Sequence, residues 1–228
     1  MIGCVRAVLV DLEGVLLPMA FMTETLIPLA ARRLGGYIVE HAEDEEVEEA
    51  LEETGRLMGG YELDPTQAES LLLRWMKQGR KATPLKILQG LVWQEAYENG
   101  ALDGALYADA VDRLKSWAAS GVRLFVYSSS SQAAQKLLLG RCASEDPTGL
   151  FEDFFDTTLG QKIEPGSYRD ICERLGLPAE SILVLSENEE ELDAARTAGL
   201  ATIRIARDGS VESSHEVGPD LASLNIGS

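Results

Sequence analysis

The feature that most constrains this chain is the run Val5-Arg6-Ala7-Val8-Leu9-Val10, which leads into Asp11-Leu12-Glu13-Gly14-Val15. A short Val-rich apolar run closed by glycine reads as a strand buried on both faces of a parallel sheet. In extended backbone, residues two apart face the same way, so Asp11 and Glu13 are expected side by side, with Leu12 turned to the other face. Open α/β sheets bind ligands at the carboxyl ends of their strands, which is where this pair falls. An Asp-x-Glu alone is equally what a solvated turn carries, so its meaning depends on the rest of the chain.

Three later segments end in the same manner. Val122-Arg123-Leu124-Phe125-Val126-Tyr127 runs into Ser128-Ser129-Ser130-Ser131; Asp153 to Thr158 leads through Gly160 to Lys162; Ile182-Leu183-Val184-Leu185 runs into Ser186-Glu187-Asn188. A parallel sheet would gather these ends along one edge. The gathered groups are carboxylates, hydroxyls and one lysine, a set suited to a metal ion and a phosphate.

The stretches between these segments carry helical spacing. Helices are expected from about 105 to 119, over 131–139 with Ser131 as N-cap and Gly140 past the end, and from Pro165 to Gly176. Another follows Asn188, which caps it while Glu191 completes a capping box, and Gly199 stops it; 201–205 is a further strand. Beyond Arg207 the chain is rich in Ser, Gly and Glu, and only 221–224 looks able to pack. From Phe21 to Gly100 no strand pattern occurs. One helix is expected over 23–34, stopped by Gly35-Gly36, with Pro28 marking a kink or a late start. A second carries the acids of 43–53 as a solvated face and buries Val47, Ala50, Leu51 and Leu57. A third starts at Pro65 and buries Ala68, Leu71, Leu72, Trp75 and Met76; a fourth starts at Pro84 and stops at Asn99-Gly100. Phe21, Trp75, Trp93 and Tyr97 read as core aromatics. The expectation is an α/β protein: a Rossmann-like parallel-sheet core at 1–18 and 103–228, with a small all-helical domain inserted at 19–102.

A formal charge of −18 argues against a nucleic-acid backbone or an anionic membrane surface as partner. No apolar run approaches the ~20 residues of a membrane span and no signal-peptide pattern is visible, so a cytoplasmic protein is expected. Cys4, Cys142 and Cys172 are scattered, as reduced structural thiols are, and His41 and His215 lie away from the strand ends expected to form the site, which disfavours a histidine triad or zinc site. No surface stripe is long enough to nominate an interface, so a monomer is expected.

Each strand-end residue has a physical job if the substrate is a small phosphate ester. Asp11 is the candidate nucleophile, forming an aspartyl-phosphate. Glu13 is the candidate acid and base, for the leaving oxygen and then for water. Ser128 or Ser129, with backbone N–H groups at the start of the next helix, would hold phosphate oxygens. Lys162 would offset charge on the nucleophile and the phosphoryl group, and Glu187 with Asp11 would hold Mg²⁺.

These segments, in this order, resemble the haloacid dehalogenase superfamily, and within it the enolase-phosphatases of methionine salvage (acireductone synthases). The resemblance rests on Asp11-Leu12-Glu13-Gly14, Lys81-Ala82-Thr83-Pro84-Leu85-Lys86 with Leu88-Gln89-Gly90 and Trp93, and Tyr127-Ser128-Ser129. It extends to Ala134-Gln135-Lys136-Leu137-Leu138, Phe155-Asp156-Thr157, Gly160-x-Lys162-x-Glu164, Ser167-Tyr168 and Glu191-Leu192-Asp193-Ala194-Ala195. It implies a Mg²⁺ enzyme that enolises 2,3-diketo-5-methylthiopentyl-1-phosphate and removes its phosphate to give an acireductone. It also implies a helical cap closing over the site, with Phe21 and Trp93 lining the closed pocket. Carried over by residue, Asp11 is nucleophile and metal ligand, and Glu13 is acid/base and gives its backbone carbonyl to the metal. Ser129 and Lys162 bind substrate.

Three positions depart from the family pattern. Glu187 stands where the family has Asp, so an extra C–C bond of ~1.5 Å must be absorbed by backbone retreat or a changed water shell around an ion that wants ligands at ~2.1 Å. Ser130 replaces a Gly, which removes access to positive φ or places a side chain against the substrate. Val15 replaces a Thr. These departures keep two alternatives open: a divergent hydrolase of the superfamily acting on another small phosphate ester, or a catalytically weak binding homologue. A dehalogenase-like reaction at carbon is opposed by Glu13 and the magnesium set.

Overall fold

The computed structural model describes residues 4–80, 82–102, 106–141 and 146–226. Lys81, Asp103, Ala105 and Cys142, on which some of the expectations above fall, lie outside the described residues. Two compact units emerge, one built from Met1–Met19 with Gly104–Ser228 and the other from Ala20–Asp103.

The first unit holds a six-stranded, all-parallel sheet: β1 (Ala7–Val10), β2 (Arg123–Tyr127), β3 (Asp153–Phe155), β4 (Ile182–Ser186), β5 (Ala201–Ile205) and β6 (Glu216–Gly218). Their order is β3-β2-β1-β4-β5-β6, the doubly wound order whose switch point lies between β1 and β4. All four residues of β1 and all five of β4 are buried, as expected where helices cover both faces. Val10 is in register with Val126 on one side and Leu185 on the other, so the three strand ends are level. One core face gathers Ala7, Leu9, Phe125, Tyr127, Phe155, Tyr168, Ile171 and Val184. β6 contradicts the sequence expectation, which left this segment without structure. Glu216–Gly218 pairs with Ile203, Arg204 and Ile205, and the buried His215 just before it hydrogen-bonds Thr202 (2.8 Å). Those partners come from β5, so local composition could not announce them.

The unit's other helices are α5 (Ala108–Ala119), α6 (Gln132–Arg141), α7 (Pro165–Leu175) and α8 (Glu189–Thr197) in chain order, after the four helices of the second unit. Gly140 does not end α6, which continues to Arg141. Gly176 takes the left-handed conformation past α7 (φ 61), as expected.

The second unit is helical throughout its described residues: α1 (Ile27–Glu40), α2 (Glu45–Leu57), α3 (Pro65–Lys77) and α4 (Thr83–Glu98). Pro28 sits in the first turn of α1, a late start, and the turn before it, Phe21–Leu26, is π-helical. Gly35-Gly36 do not stop α1. A Cβ at Gly35 would lie 2.2 Å from Glu69 Oε1, so this glycine admits a side chain of α3 instead of breaking a helix. α3 starts with a full capping box between Asp64 and Gln67. Trp75, Trp93 and Tyr97 are buried, and the Trp93 indole N–H donates to the Leu26 carbonyl at 2.8 Å, which makes it a core residue of this unit. Leu57, expected inside, is 44% exposed, and Met76 is half-buried. No helix among the described residues is long and apolar enough to cross a membrane.

Two glycines of this unit should respond oppositely to alanine. Gly36 has open space where a Cβ would go, so Gly36→Ala should stabilise by about 0.5–1 kcal/mol. At Gly55 the Cβ would sit 2.1 Å from the Tyr61 backbone carbonyl oxygen, so Gly55→Ala should lose about 1–2 kcal/mol even after its gain in helix propensity. Urea midpoints of the two variants check both signs.

Candidate active site

Asp11 follows β1 directly. Its N–H donates to the Leu185 carbonyl at 2.9 Å, continuing the β1–β4 ladder one residue beyond the strand and delivering the carboxylate at the switch point. Oδ1 accepts from the Leu12 N–H (2.8 Å) and from Lys162 Nζ (2.7 Å), and Ser186 Oγ lies 3.2 Å from Oδ2. Lys162 comes from the loop between β3 and α7. That loop is pinned from two sides, by the Tyr127 hydroxyl donating to Gly160 O (2.9 Å) and the Ser167 hydroxyl donating to Gln161 O (2.8 Å).

Lys162 Nζ also meets Glu191 Oε2 at 2.7 Å, and the same oxygen accepts from Ser186 Oγ at 2.9 Å. Glu191 is therefore not half of a capping box. Asn188 caps α8 alone, accepting from the Glu190 N–H (2.9 Å), while Glu191 turns inward, buried with Leu192, Ala194 and Ala195. The available signal was its place on the apolar face of α8. Asp11, Lys162 and Glu191 are each under a tenth exposed, walled by Leu9, Tyr127, Tyr168 and Val184.

Two carboxylates against one ammonium leave negative charge in a dry place. Burial, opposed by Lys162 and reinforced by Glu191 and Glu13, pushes the Asp11 carboxyl up to about 8. Burial works against the Lys162 ammonium, but Asp11 and Glu191 outweigh it and raise its pKa. Burial also raises the Tyr127 and Tyr168 phenols, which stay neutral.

Glu13 does not share its direction with Asp11, because the backbone is no longer extended there. The chain folds back, with Gly14 N–H to Leu17 O at 2.7 Å and Leu17 N–H to Leu12 O at 2.8 Å. The Glu13 carboxylate instead receives the Ser128 hydroxyl on Oε2 (2.8 Å) and the Ser130 hydroxyl on Oε1 (2.7 Å). Gly14 at φ 77 makes the turn possible, and its bare Cα leaves room for Glu187, whose Cγ, Cδ and Oε2 lie 2.7 Å from where a Cβ would stand.

The serine loop is held from below by Gln135, whose Nε2 donates to Ser130 O (2.8 Å) and Phe155 O (2.9 Å). Ser128 is fully buried and Ser129 half-buried. No described non-glycine residue has positive φ, so Ser130 does not suffer the backbone conflict its position suggested. Val15, fully buried, suits an apolar side chain. The first turn of α6 is less available to a ligand than expected: Gln132 N–H donates to Asp156 Oδ2 (3.2 Å) and Ala134 N–H to Ser131 Oγ (3.3 Å).

Glu187 is half-buried, and its carboxylate accepts no hydrogen bond from the described residues. Its carbonyl accepts from Arg204 Nε at 3.2 Å. Burial, with Glu191 next, raises its pKa, and Arg204 opposes this.

The charge excess predicts a stability signature. The unfolded Asp11 ionises near its ordinary value of 3.8, whereas the folded protein holds the proton to higher pH, so stability falls as pH rises between the two. Asp11→Asn removes that penalty. Thermal melts in EDTA should show the variant gaining on the wild type from about pH 4 upward and levelling off near pH 8; a gap that closes with rising pH would refute this.

The haloacid dehalogenase-like hydrolase family model matches residues 5–199. Enolase-phosphatase E1 of Xanthobacter autotrophicus is 53% identical over 223 residues, 98% of this chain and 99% of that protein. Enolase-phosphatase E1 of Pseudomonas syringae pv. syringae is 43% identical, over 97% of each. The crystal structure of the UTR4 protein of Saccharomyces cerevisiae superposes with a TM-score of 0.77 at 30% identity, covering 96% of this chain and all of that one. The L-2-haloacid dehalogenase of Xanthobacter autotrophicus, at 18% identity and a TM-score of 0.57 over 96% of each chain, shares the fold alone. With a doubly wound sheet ending in Asp11, Ser128, Lys162 and Glu187, and relatives that match it along nearly its full length, this chain belongs to the haloacid dehalogenase-like hydrolases, in their enolase-phosphatase group.

Proposed function

We propose that this chain is a magnesium-dependent enolase-phosphatase of methionine salvage, converting 2,3-diketo-5-methylthiopentyl-1-phosphate to acireductone through an aspartyl-phosphate on Asp11. The observation that carries the reading is the Asp11 carboxylate, buried at the switch point and held on one oxygen by Lys162 at 2.7 Å. A carboxylate fixed there and kept from wandering is placed to attack phosphorus. The printed name of the relatives, up to 53% identical, supplies the substrate class.

In the first half of phosphate removal, which follows the enolisation, an Asp11 carboxylate oxygen bonds to phosphorus as the bond to the leaving oxygen breaks, and Glu13 gives that oxygen a proton. In the second, Glu13 takes a proton from the water that cleaves the aspartyl-phosphate. Lys162, with Ser128 and Ser129, binds the phosphoryl oxygens; the commitments of the first-turn amides of α6 leave this work to side chains. Glu191 holds Lys162 from the other side and serves as a positioning residue.

The donor set fits Mg²⁺. It is all oxygen, it carries uncompensated negative charge, and Glu187 offers a carboxylate that no described residue occupies. Asp11, Glu13 and Glu187 are not among the side-chain groups whose ligand atoms converge within 4.8 Å, as those of Glu40, His41 and Glu95 do. The Glu13 carboxylate is taken by two serines, and its backbone carbonyl, the donor the family resemblance implies, would join Asp11 and Glu187 in holding the ion. What Mg²⁺ supplies when bound is neutralisation of charge on the phosphoryl oxygens.

Phosphate release from the diketo substrate, with and without Mg²⁺, tests the proposal. Asp11→Asn should lose at least about a thousandfold in kcat. Glu187→Gln should raise the Mg²⁺ concentration for half-maximal rate about tenfold or more, while Glu187→Asp stays active. Turnover of simple phosphate esters but not of the diketo substrate would overturn the substrate assignment and keep the phosphatase.

A further inference from the structure

Two hydroxyls hold the Glu13 carboxylate, one on each oxygen, and they differ in what else they do. Ser128 Oγ donates to Oε2 and accepts from the Ser130 N–H at 3.0 Å. Its single hydroxyl hydrogen is the one a phosphate at this site would claim, because a phosphate dianion competes with a carboxylate for the same donor. Ser130 has no such second demand. Its N–H is taken by Ser128 and its carbonyl by Gln135, so its backbone is fixed on two sides. Its side chain is 8% exposed and gives its one hydrogen to Glu13 Oε1 at 2.7 Å.

We propose that Ser130 is a positioning residue for Glu13: it tethers Oε1 while an incoming phosphate draws the Ser128 hydroxyl away from Oε2. The acid/base thus stays aimed as the substrate arrives, with one oxygen released for proton transfer. When Asp11 bonds to phosphorus and the bond to the leaving oxygen breaks, the electron pair goes to that oxygen and the proton comes from Oε2. When water attacks the aspartyl-phosphate, its proton returns to Oε2 and Asp11 leaves as a carboxylate. An untethered glutamate would spread over several rotamers once Ser128 let go, each mostly off target. The inference rests on the phosphatase reading.

The test compares Ser130→Ala and Ser130→Thr with the wild type in Mg²⁺, on a primary alkyl phosphate and on p-nitrophenyl phosphate. The first has an alkoxide leaving group that needs a proton, and the second leaves readily without one. Ser130→Ala should lower kcat about tenfold on the first and under about threefold on the second, with KM within about twofold on both. Ser130→Thr should restore the rate to within about threefold. Equal losses on both substrates, a loss confined to KM, or no loss would overturn the proposal. Activity that survives Asp11→Asn on both substrates would instead sink the phosphatase reading, so the two failures are distinguishable. A structure of the wild type with inorganic phosphate gives a readout free of turnover: Ser128 Oγ should turn to the anion while Ser130 Oγ remains within hydrogen-bond distance of Oε1, and a parting of Glu13 from Ser130 overturns the idea.

Discussion

The structure of the core depends on holding one carboxyl group in a place that water does not reach. Asp11 is under a tenth exposed, at the end of a strand whose every residue is buried. An isolated charge there would simply take up a proton, since effective desolvation costs several kcal/mol per ion. Lys162 opposes this without cancelling it, since the Asp11 carboxyl is still pushed up to about 8, and it acts from a fixed position: the loop that carries it is tied to the sheet through Tyr127 and to α7 through Ser167. The cost of removing one member of a buried pair, about 3–5 kcal/mol, exceeds the net worth of the whole pair, which lies near zero against an apolar replacement. Stability alone would therefore have favoured leucines. The network makes sense as a device for holding the proposed nucleophile, and Glu191 extends it by restraining the lysine from the far side.

Much of this was legible in the chain because strand ends are a local property. Apolar runs closed by Gly, Ser or Asp mark where a buried strand stops, and a parallel sheet leaves little choice about where those stops meet. Asp11, Ser128, Lys162 and Glu187 are legible as candidates in that way. What stayed illegible was which partner each side chain takes. Glu191 satisfies the local rule for a capping box, yet its partners are Lys162 and Ser186, and a buried cation outcompetes a half-exposed amide for a carboxylate. Glu13 breaks a pattern argument that assumed extended backbone past Val10, where a turn intervenes.

Glycine shows the same division. Gly14 and Gly176 act as their neighbours in sequence suggest, with φ of 77 and 61. Gly35 does not end its helix, because a missing Cβ is also a way to let another element approach, and Glu69 of α3 uses the space. Only a tertiary contact decides between a stop and a notch. β6 belongs here too: three residues that pair with β5 have no period of their own to detect.

The longer acid at the proposed metal position lies along a neighbouring glycine. β4 keeps its register with β1 through Leu185 and with β5 through Ser186, and Arg204 holds the Glu187 carbonyl, so the strand end is fixed by its neighbours. The Glu187 side chain runs sideways, with Cγ, Cδ and Oε2 laid across Gly14. Gly14 thus serves twice, once for a turn that sends Glu13 to the serines and once as the floor on which Glu187 rests. Any side chain at residue 14 would meet Glu187 at 2.7 Å as well as strain the turn, which couples the proposed acid/base and the proposed metal carboxylate through one missing Cβ.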